Sequence, residues 1–207
     1  MSGRPAVAGK RPGRTRVSAE KTAGEKVFAV AADLFYNQSI RAVGVEAIVQ
    51  QAGVAKISLY RTFASKDDLI VAYLEGRNAD YWRIVDAIMA RHDGHPRKQL
   101  RSLIAHVADR ATTRGYRGCP FINYTGEFYE RSHPGHRVVD ANKRGMRRRL
   151  LRLATAMGAR DPAGLADALF LLIEGAYASS QTLGGHNGPA KILPTVADNI
   201  IDSHLNG

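Results

Sequence analysis

The chain has 207 residues, 44% of them apolar, which suits one globular domain of moderate size or a small domain joined to a larger one. Its 30 lysines and arginines outnumber its 19 acidic residues, and this balance favours a polyanion such as nucleic acid or an anionic membrane as partner. A single cysteine excludes an intramolecular disulfide and a four-cysteine zinc site. Without a bilayer-length apolar run or a secretory signal, we expect a cytoplasmic protein that has no membrane partner.

Residues 1–18 are rich in Gly, Pro, Arg and Ala and show no periodicity, which predicts a disordered basic arm. Residues 1–16 contain five basic side chains and no acidic one. We expect Arg14 and Arg16 to contact DNA. A tail that only improves solubility explains the same composition equally well.

Beyond this arm apolar residues recur with helical period, and no stretch alternates over strand length, so the predicted class is all-α. The first helix is predicted over residues 18–37. Two short helices follow at about residues 45–51 and 55–62, separated by a turn at Gly53. Ser65 is then predicted to cap a long fourth helix.

The larger C-terminal part is predicted to be helical throughout. Its helices are expected at about residues 97–113, 121–131, 134–158, 162–182 and 193–205. The helix over 162–182, capped by Asp161, is apolar almost all round and should be buried on several sides. Glu174 lies within this apolar run, and a buried carboxylate there needs a partner.

Two short helices joined by a turn that contains glycine match the geometry of a helix-turn-helix. On the second helix Leu59 and Phe63 define the core side, so Ile57 and Arg61 face outward. Arg61 is predicted to bind guanine, and Ile57 to touch a thymine methyl group. Hydrogen bonds to phosphates are predicted from the remaining polar side chains of this region, Lys56, Ser58, Tyr60 and Lys66.

Residues 19–82 resemble the N-terminal domain of TetR-family regulators. The resemblance is carried by residues 31–35 and 45–54, and above all by the sequence Leu-Tyr-Arg-Thr-Phe-Ala-Ser-Lys-Asp-Asp-Leu at 59–69. It implies a homodimer that binds double-stranded DNA at a pseudo-palindromic operator and usually represses. It also implies that Thr62 lies on or beside the reading face. Two positions depart from the family pattern, since Ser39 replaces a usual glycine, and Val43-Gly44 lacks a capping Thr or Ser.

The resemblance also implies an organisation into regions. Residues 19–65 form the helix-turn-helix domain, with the motif at about 44–63, and residues 66–207 form a helical domain for dimerisation and ligand binding. The dimer interface is predicted at Leu169, Leu172, Ile173, Ala176, Val196 and Ile200. The segment 118–128 mixes aromatic and polar side chains as ligand sites do, so an effector pocket is predicted at Cys119, Phe121, Asn123, Tyr124, Glu127 and Phe128.

The predicted function is therefore a sequence-specific repressor that an unidentified small-molecule effector releases from DNA. One alternative is a regulator without a small ligand, controlled by a protein partner or by oxidation or alkylation of Cys119, although a lone cysteine is more often a small buried side chain. A remote alternative is a metal-dependent enzyme, because acidic and histidine residues recur at 127, 130, 133 and 136. Pro134 and Gly135 break the helix that such a metal site needs, so we expect no metal, cofactor or catalytic residue.

Overall fold

The computed structural model describes residues 21–184 and 186–205, and within these ranges every regular element is helical. The predicted basic arm, with Arg14 and Arg16, lies outside the described residues. The helices are α1 Ala23–Asn37, α2 Val45–Ala52, α3 Lys56–Thr62, α4 Lys66–Ala90, α5 Pro96–Thr112, α6 Pro120–Glu127, α7 Gly135–Ala156, α8 Pro162–Thr182 and α9 Leu193–Leu205, with a 3-10 turn at Pro189–Ile192 before α9. None of the helices in the described ranges is both long and apolar enough to cross a membrane.

Capping side chains fix where several helices begin. The predicted caps Ser65 and Asp161 are confirmed, since each accepts a hydrogen bond from the backbone N–H three residues on. Helix α1 begins at Ala23 and not near residue 18, because the Thr22 hydroxyl accepts from the Glu25 N–H at 3.2 Å while the Glu25 carboxylate accepts from the Thr22 N–H at 2.7 Å. This reciprocal pair sets the first turn.

Helix α6 is shorter than predicted and ends at Glu127 instead of continuing to residue 131. Phe128 leaves the helix in an extended conformation, and its carbonyl oxygen accepts a hydrogen bond from Nε2 of buried His136 at 3.0 Å. The Glu127 side chain turns away to the loop between α1 and α2. Tertiary contacts therefore end a helix that the local sequence would allow to continue.

Two hydrophobic cores lie along the molecule, and α4 passes through both. Its first half contributes Leu69 and Leu74 to a core with α1, α2 and α3, and its second half contributes Val85 and Met89 to a core with α5, α7, α8 and α9. Residues of α6 and the start of α7 belong to the first core. The predicted domain boundary after residue 65 lies at the start of α4, and this helix, about 37 Å long, contributes side chains to both cores.

Candidate DNA-binding surface and ligand cavity

The turn between α2 and α3 sets the angle of the second helix. Gly53 adopts the left-handed conformation with φ 64°, which costs other residues about 1–2 kcal/mol. Apart from the two chain neighbours of Gly53, no described residue has an atom within 4 Å of the place of a Cβ there, so the backbone angle alone favours glycine. Leu59 is fully buried and anchors α3 to the core of the first three helices.

The outward face of α3 exposes large side chains. Ile57 is 62% exposed and Tyr60 44% exposed, and adjacent exposed apolar groups of this size indicate a contact surface. Arg61 is also exposed, and among the described residues it forms no ion pair. Its guanidinium is therefore available to an acceptor that approaches from outside.

Lys56 is placed differently, because its ammonium donates to the Glu46 carboxylate of α2 at 2.5 Å. This hydrogen bond raises the pKa of Lys56 and lowers that of Glu46. Both side chains are largely exposed, so an incoming phosphate would compete with Glu46 for the ammonium. The sequence reasoning missed Glu46; an acidic residue at the second position of α2 was the available signal.

Ser58 and Thr62 lie on the side of α3 that faces the start of α1. The Thr62 hydroxyl donates to the Ser58 carbonyl at 3.3 Å, and a Cβ on Gly24 would lie only 2.8 Å from the Thr62 hydroxyl oxygen. A shallow groove between the two helices is bordered by Lys21, Ser58 and Arg61. Glycine at position 24 thus permits close contact between α1 and α3.

Two further positions of the motif are Lys66, a predicted phosphate contact, and Gly44, which precedes α2. The ammonium of Lys66 donates to the Arg41 carbonyl at 3.4 Å, and burial lowers the pKa of this side chain. At the start of α2, Gly44 occupies the N-cap position and makes no side-chain hydrogen bond, as predicted from the lack of a capping Thr or Ser at Val43-Gly44. Its φ of −82° suits any residue, and in the described structure the nearest atom to an added Cβ is 3.9 Å away.

A cavity of about 400 Å³ lies between the helices of the second core, next to the first. Its apolar lining includes Ile84 of α4, Leu103 and Val107 of α5, Phe121 of α6, Met146 of α7 and Ile173 of α8. Tyrosines and charged groups also line the cavity. They are Tyr36, Tyr81, Tyr116, Tyr177, Arg77, Asp80, Arg83, Arg110, Arg114, Lys143 and Glu174. The volume is at the small end of the range for ligand sites in proteins, about 300–1,000 Å³.

Of the six residues predicted to form an effector pocket, Cys119 and Phe121 line this cavity and the other four lie elsewhere. Asn123 donates to the Arg117 carbonyl at 2.9 Å, and Phe128 stacks on the Tyr124 ring with 4.8 Å between centroids. The structure does not bring the six together, because α6 turns only one face to the cavity.

Tyr124 is fully buried within the first core. Burial raises its pKa to about 12, so its phenol keeps the proton and donates to Nδ1 of His133 at 2.7 Å.

Glu127 joins α6 to the loop between α1 and α2, which belongs to the DNA-binding half formed by α1, α2 and α3. Its carboxylate accepts from the Ser39 hydroxyl at 2.7 Å, the Ile40 N–H at 3.2 Å and the Arg41 N–H at 2.8 Å. Ser39, the position where the related pattern often has glycine, therefore makes a direct side-chain contact with the C-terminal half.

Cys119 borders the cavity and is 6% exposed. Its sulfur lies 3.7 Å from the ammonium of Lys143, which also donates to the Glu174 carboxylate at 2.6 Å. Lys143 is thus the partner of Glu174, the carboxylate that was expected to need one because it lies in an apolar helix.

Comparison with known proteins agrees with this architecture. The family model for bacterial regulatory proteins of the tetR family matches residues 27–73, which are α1, α2, α3 and the start of α4. A TetR-family transcriptional regulator from Streptomyces coelicolor is 26% identical, with a TM-score of 0.80 over 89% of this chain and 96% of that one. The chain belongs to the TetR family.

Other solved structures have the same fold as this TetR-family chain. A putative TetR transcriptional regulator from Streptomyces avermitilis is 27% identical, with a TM-score of 0.76 over 89% of this chain and 98% of that one. The reduced form of NemR from Escherichia coli is 20% identical, with a TM-score of 0.73 over 86% and 97% of the two chains, and shows the fold alone. A comparison with curated protein sequences found no match. TetR-family membership makes the protein a DNA-binding regulator of transcription.

TetR-family regulators act as dimers, and one face of α8 and α9 is open in this protomer. Among the predicted interface residues, Leu169, Ile173 and Ala176 are buried in the protomer's own core, so they are not available to a partner. Leu172, Val196 and Ile200 are partly exposed. The sequence reasoning did not name Leu171, which is 70% exposed, or the exposed Leu183 and Ile192. A helix that is apolar all round does not show that Leu171 stays open.

The acidic and histidine residues spaced three apart are not arranged as metal ligands. Each has a different neighbour, since Glu127 binds the Ser39 loop, Glu130 pairs with Arg41, His133 accepts from Tyr124 and His136 donates to Phe128. Across residues 21–184 and 186–205, no three His, Cys, Asp or Glu side chains are grouped as a metal site.

Proposed function

We propose that this TetR-family regulator is a repressor that binds a pseudo-palindromic operator as a homodimer and is released when a small molecule occupies the cavity. The observation that carries the DNA-binding part is the outward face of α3, where Ile57, Tyr60 and Arg61 are exposed on a helix held by buried Leu59. Such a face costs free energy in water and gains contacts in a major groove.

Within this proposal Arg61 donates to guanine O6 and N7, and Ile57 contacts a thymine methyl group. Tyr60, Ser58 and Lys66 bind phosphates, and Lys56 exchanges Glu46 for a phosphate on binding. Thr62 lies beside the reading face, against α1. Arg14 and Arg16 would extend the contact, because they precede Lys21 in the sequence and Lys21 borders the same groove as Arg61.

The proposed dimer uses the open face of α8 and α9. Its contacts are the exposed and partly exposed apolar side chains of these two helices and of the residues just after α8 and just before α9, Leu171, Leu172, Leu183, Ile192, Val196 and Ile200. Two recognition helices then meet successive major grooves, whose centres are about 34–36 Å apart, so a small tilt of each DNA-binding half is enough to lose the match.

The proposed route from the cavity to α3 uses two links besides α4. The Tyr36 hydroxyl at the end of α1 donates to the Gly118 carbonyl at 3.2 Å and accepts from the Arg117 N–H at 3.3 Å. Glu127 holds the loop after α1. Tyr36 also borders the cavity, so a ligand that displaces it or α6 changes the orientation of the DNA-binding half.

Selection of bound duplexes from random DNA tests this function. We expect one enriched motif with two inverted half-sites whose centres are about 10 base pairs, or a multiple, apart. Binding of the duplexes with no enriched sequence would contradict the proposal.

A second candidate is control through Cys119 chemistry, because the Cys119 sulfur borders the cavity and lies 3.7 Å from the Lys143 ammonium. Treatment with N-ethylmaleimide, followed by operator titration, tests it. If this control operates, the modified protein loses the operator and the Cys119→Ser variant treated in the same way keeps it. Equal binding before and after complete alkylation would reject it.

A further inference from the structure

Charges on the cavity wall are not balanced. The wall carries two carboxylates, and each is already paired, Asp80 with Arg83 at 3.0 Å and Glu174 with Lys143 at 2.6 Å. Three further guanidiniums line the same cavity, those of Arg77, Arg110 and Arg114, and none forms an ion pair with any described residue. An excess of three positive charges therefore faces one enclosed volume.

Arg77 is the most confined of the three. Its guanidinium lies over the rings of Tyr36 and Tyr73, at 4.8 and 5.4 Å from their centroids, and one terminal nitrogen reaches the Ala32 carbonyl at 3.5 Å. Its Nε atom is buried and has no hydrogen-bond partner among the described residues. A buried unpaired donor on a charged group is costly, and an acceptor delivered by a ligand would satisfy it.

Arg110 lies in the last turn of α5 and Arg114 in the turn that follows this helix, and both are exposed at the edge of the cavity. The Arg110 guanidinium lies 5.3 Å from the centroid of the Tyr116 ring. Burial, followed by the charge of Arg110, lowers the pKa of His106 on the same wall, so this imidazole stays neutral near pH 7 and adds no further charge.

The hydroxyls of Tyr116 and Tyr177 add hydrogen-bond donors to the wall, whereas that of Tyr81 already donates to the Met146 sulfur at 2.8 Å. Burial raises the pKa of Tyr81, Tyr116 and Tyr177 well above the ordinary value, so all three phenols stay protonated at neutral pH. Protonated phenols and guanidiniums suit an acceptor-rich anion. Aliphatic and aromatic side chains such as Leu103 and Phe121 also line the wall, and they suit an apolar body attached to that anion.

We propose that the cavity binds an organic carboxylate with an apolar aromatic or acyl body, and that its carboxylate binds Arg77 and Arg110. This inference rests on the proposed role of the cavity as the effector site. The planar carboxylate matches the forked donors of a guanidinium, and the apolar body lies against Ile84, Leu103 and Phe121.

Calorimetric titration of the full-length protein with matched pairs tests the proposal, using 2-naphthoate against 2-naphthamide and decanoate against decanamide. We expect the carboxylate of a pair to bind at least about tenfold more tightly than its amide, because the amide loses the charge-assisted bonds. Arg77→Met and, separately, Arg110→Met should remove this preference. Arg148→Met, at an exposed arginine of α7 that does not line the cavity, should retain it.

Several outcomes would overturn the proposal. Equal or tighter binding of the amides, a preference unchanged in both Arg77→Met and Arg110→Met, or no binding of either carboxylate would each do so. Thermal melting of the unliganded variants shows whether they remain folded, and Arg110, being exposed, supplies the variant least able to disturb the core. If a carboxylate binds but does not release the selected operator, the ligand class is supported and the effector-release function is refuted. The experiment therefore distinguishes failure of the ligand proposal from failure of the proposed function.

Discussion

Glu127→Ala is expected to loosen the DNA-binding half from α6. The carboxylate accepts three hydrogen bonds, from the Ser39 hydroxyl and from the N–H groups of Ile40 and Arg41. Hydrogen bonds to a charged group contribute about 1.5–3 kcal/mol each. The Arg41 N–H is exposed and regains water, so we count the two part-buried bonds at the lower value and expect a loss of about 3 kcal/mol in the free energy of unfolding.

Urea unfolding measures this loss, and amide hydrogen exchange locates it. In Glu127→Ala the amides of Ile40 and Arg41 should exchange faster than in the wild type, and those of α8 should change no more than the global loss of stability requires. Glu130→Ala is the matched control, because Glu130 lies three residues on and pairs with Arg41 only at the surface, where ion pairs contribute about 0–1 kcal/mol. A stability of Glu127→Ala within about 0.5 kcal/mol of wild type, with unchanged exchange at Ile40, would refute the link.

Three further predictions concern the helix-turn-helix and the dimer. Gly44→Ser should raise stability in urea by about 0.5–1 kcal/mol, because it adds a side-chain cap at an ordinary φ, whereas Gly53→Ser at φ 64° should lower it by about 1–2 kcal/mol; the reverse order would contradict the assigned turn. Glu46→Gln should free Lys56 for a phosphate and steepen the dependence of operator affinity on salt by about one unit of slope, and an unchanged slope would keep Lys56 away from the DNA. Leu171→Arg should shift sedimentation toward the monomer while far-ultraviolet circular dichroism stays unchanged, and an intact dimer would move the interface elsewhere.

Local chemistry made the turn and capping residues predictable. The positions of Gly53, Ser65 and Asp161 follow from turn and capping preferences that act over three or four residues, and the structure confirms the caps. The core position of Leu59 and the outward positions of Ile57 and Arg61 follow from helical periodicity within α3.

Features that depend on distant parts of the chain were not predictable in the same way. Only one face of α6 meets the cavity, and which one depends on the loop at Ser39, nearly ninety residues earlier. Arg77 and Arg110 reach the cavity from α4 and α5, outside the segment that looked like a pocket. For α8, burial in the protomer and burial in a dimer produce the same apolar sequence, so Ile173 could not be distinguished from Leu171.

We infer that α3 reads bases through Arg61. The affinity of the Arg61→Ala variant for every single-base variant of the selected operator measures this role. We expect a loss of about 1–3 kcal/mol together with relaxed preference at one base pair in each half-site. Arg83→Ala, which changes an exposed arginine on α4 outside the helix-turn-helix, should keep both affinity and preference. An equal loss of affinity of Arg61→Ala for all sequences, with every base preference retained, would contradict the claim and make Arg61 a phosphate contact.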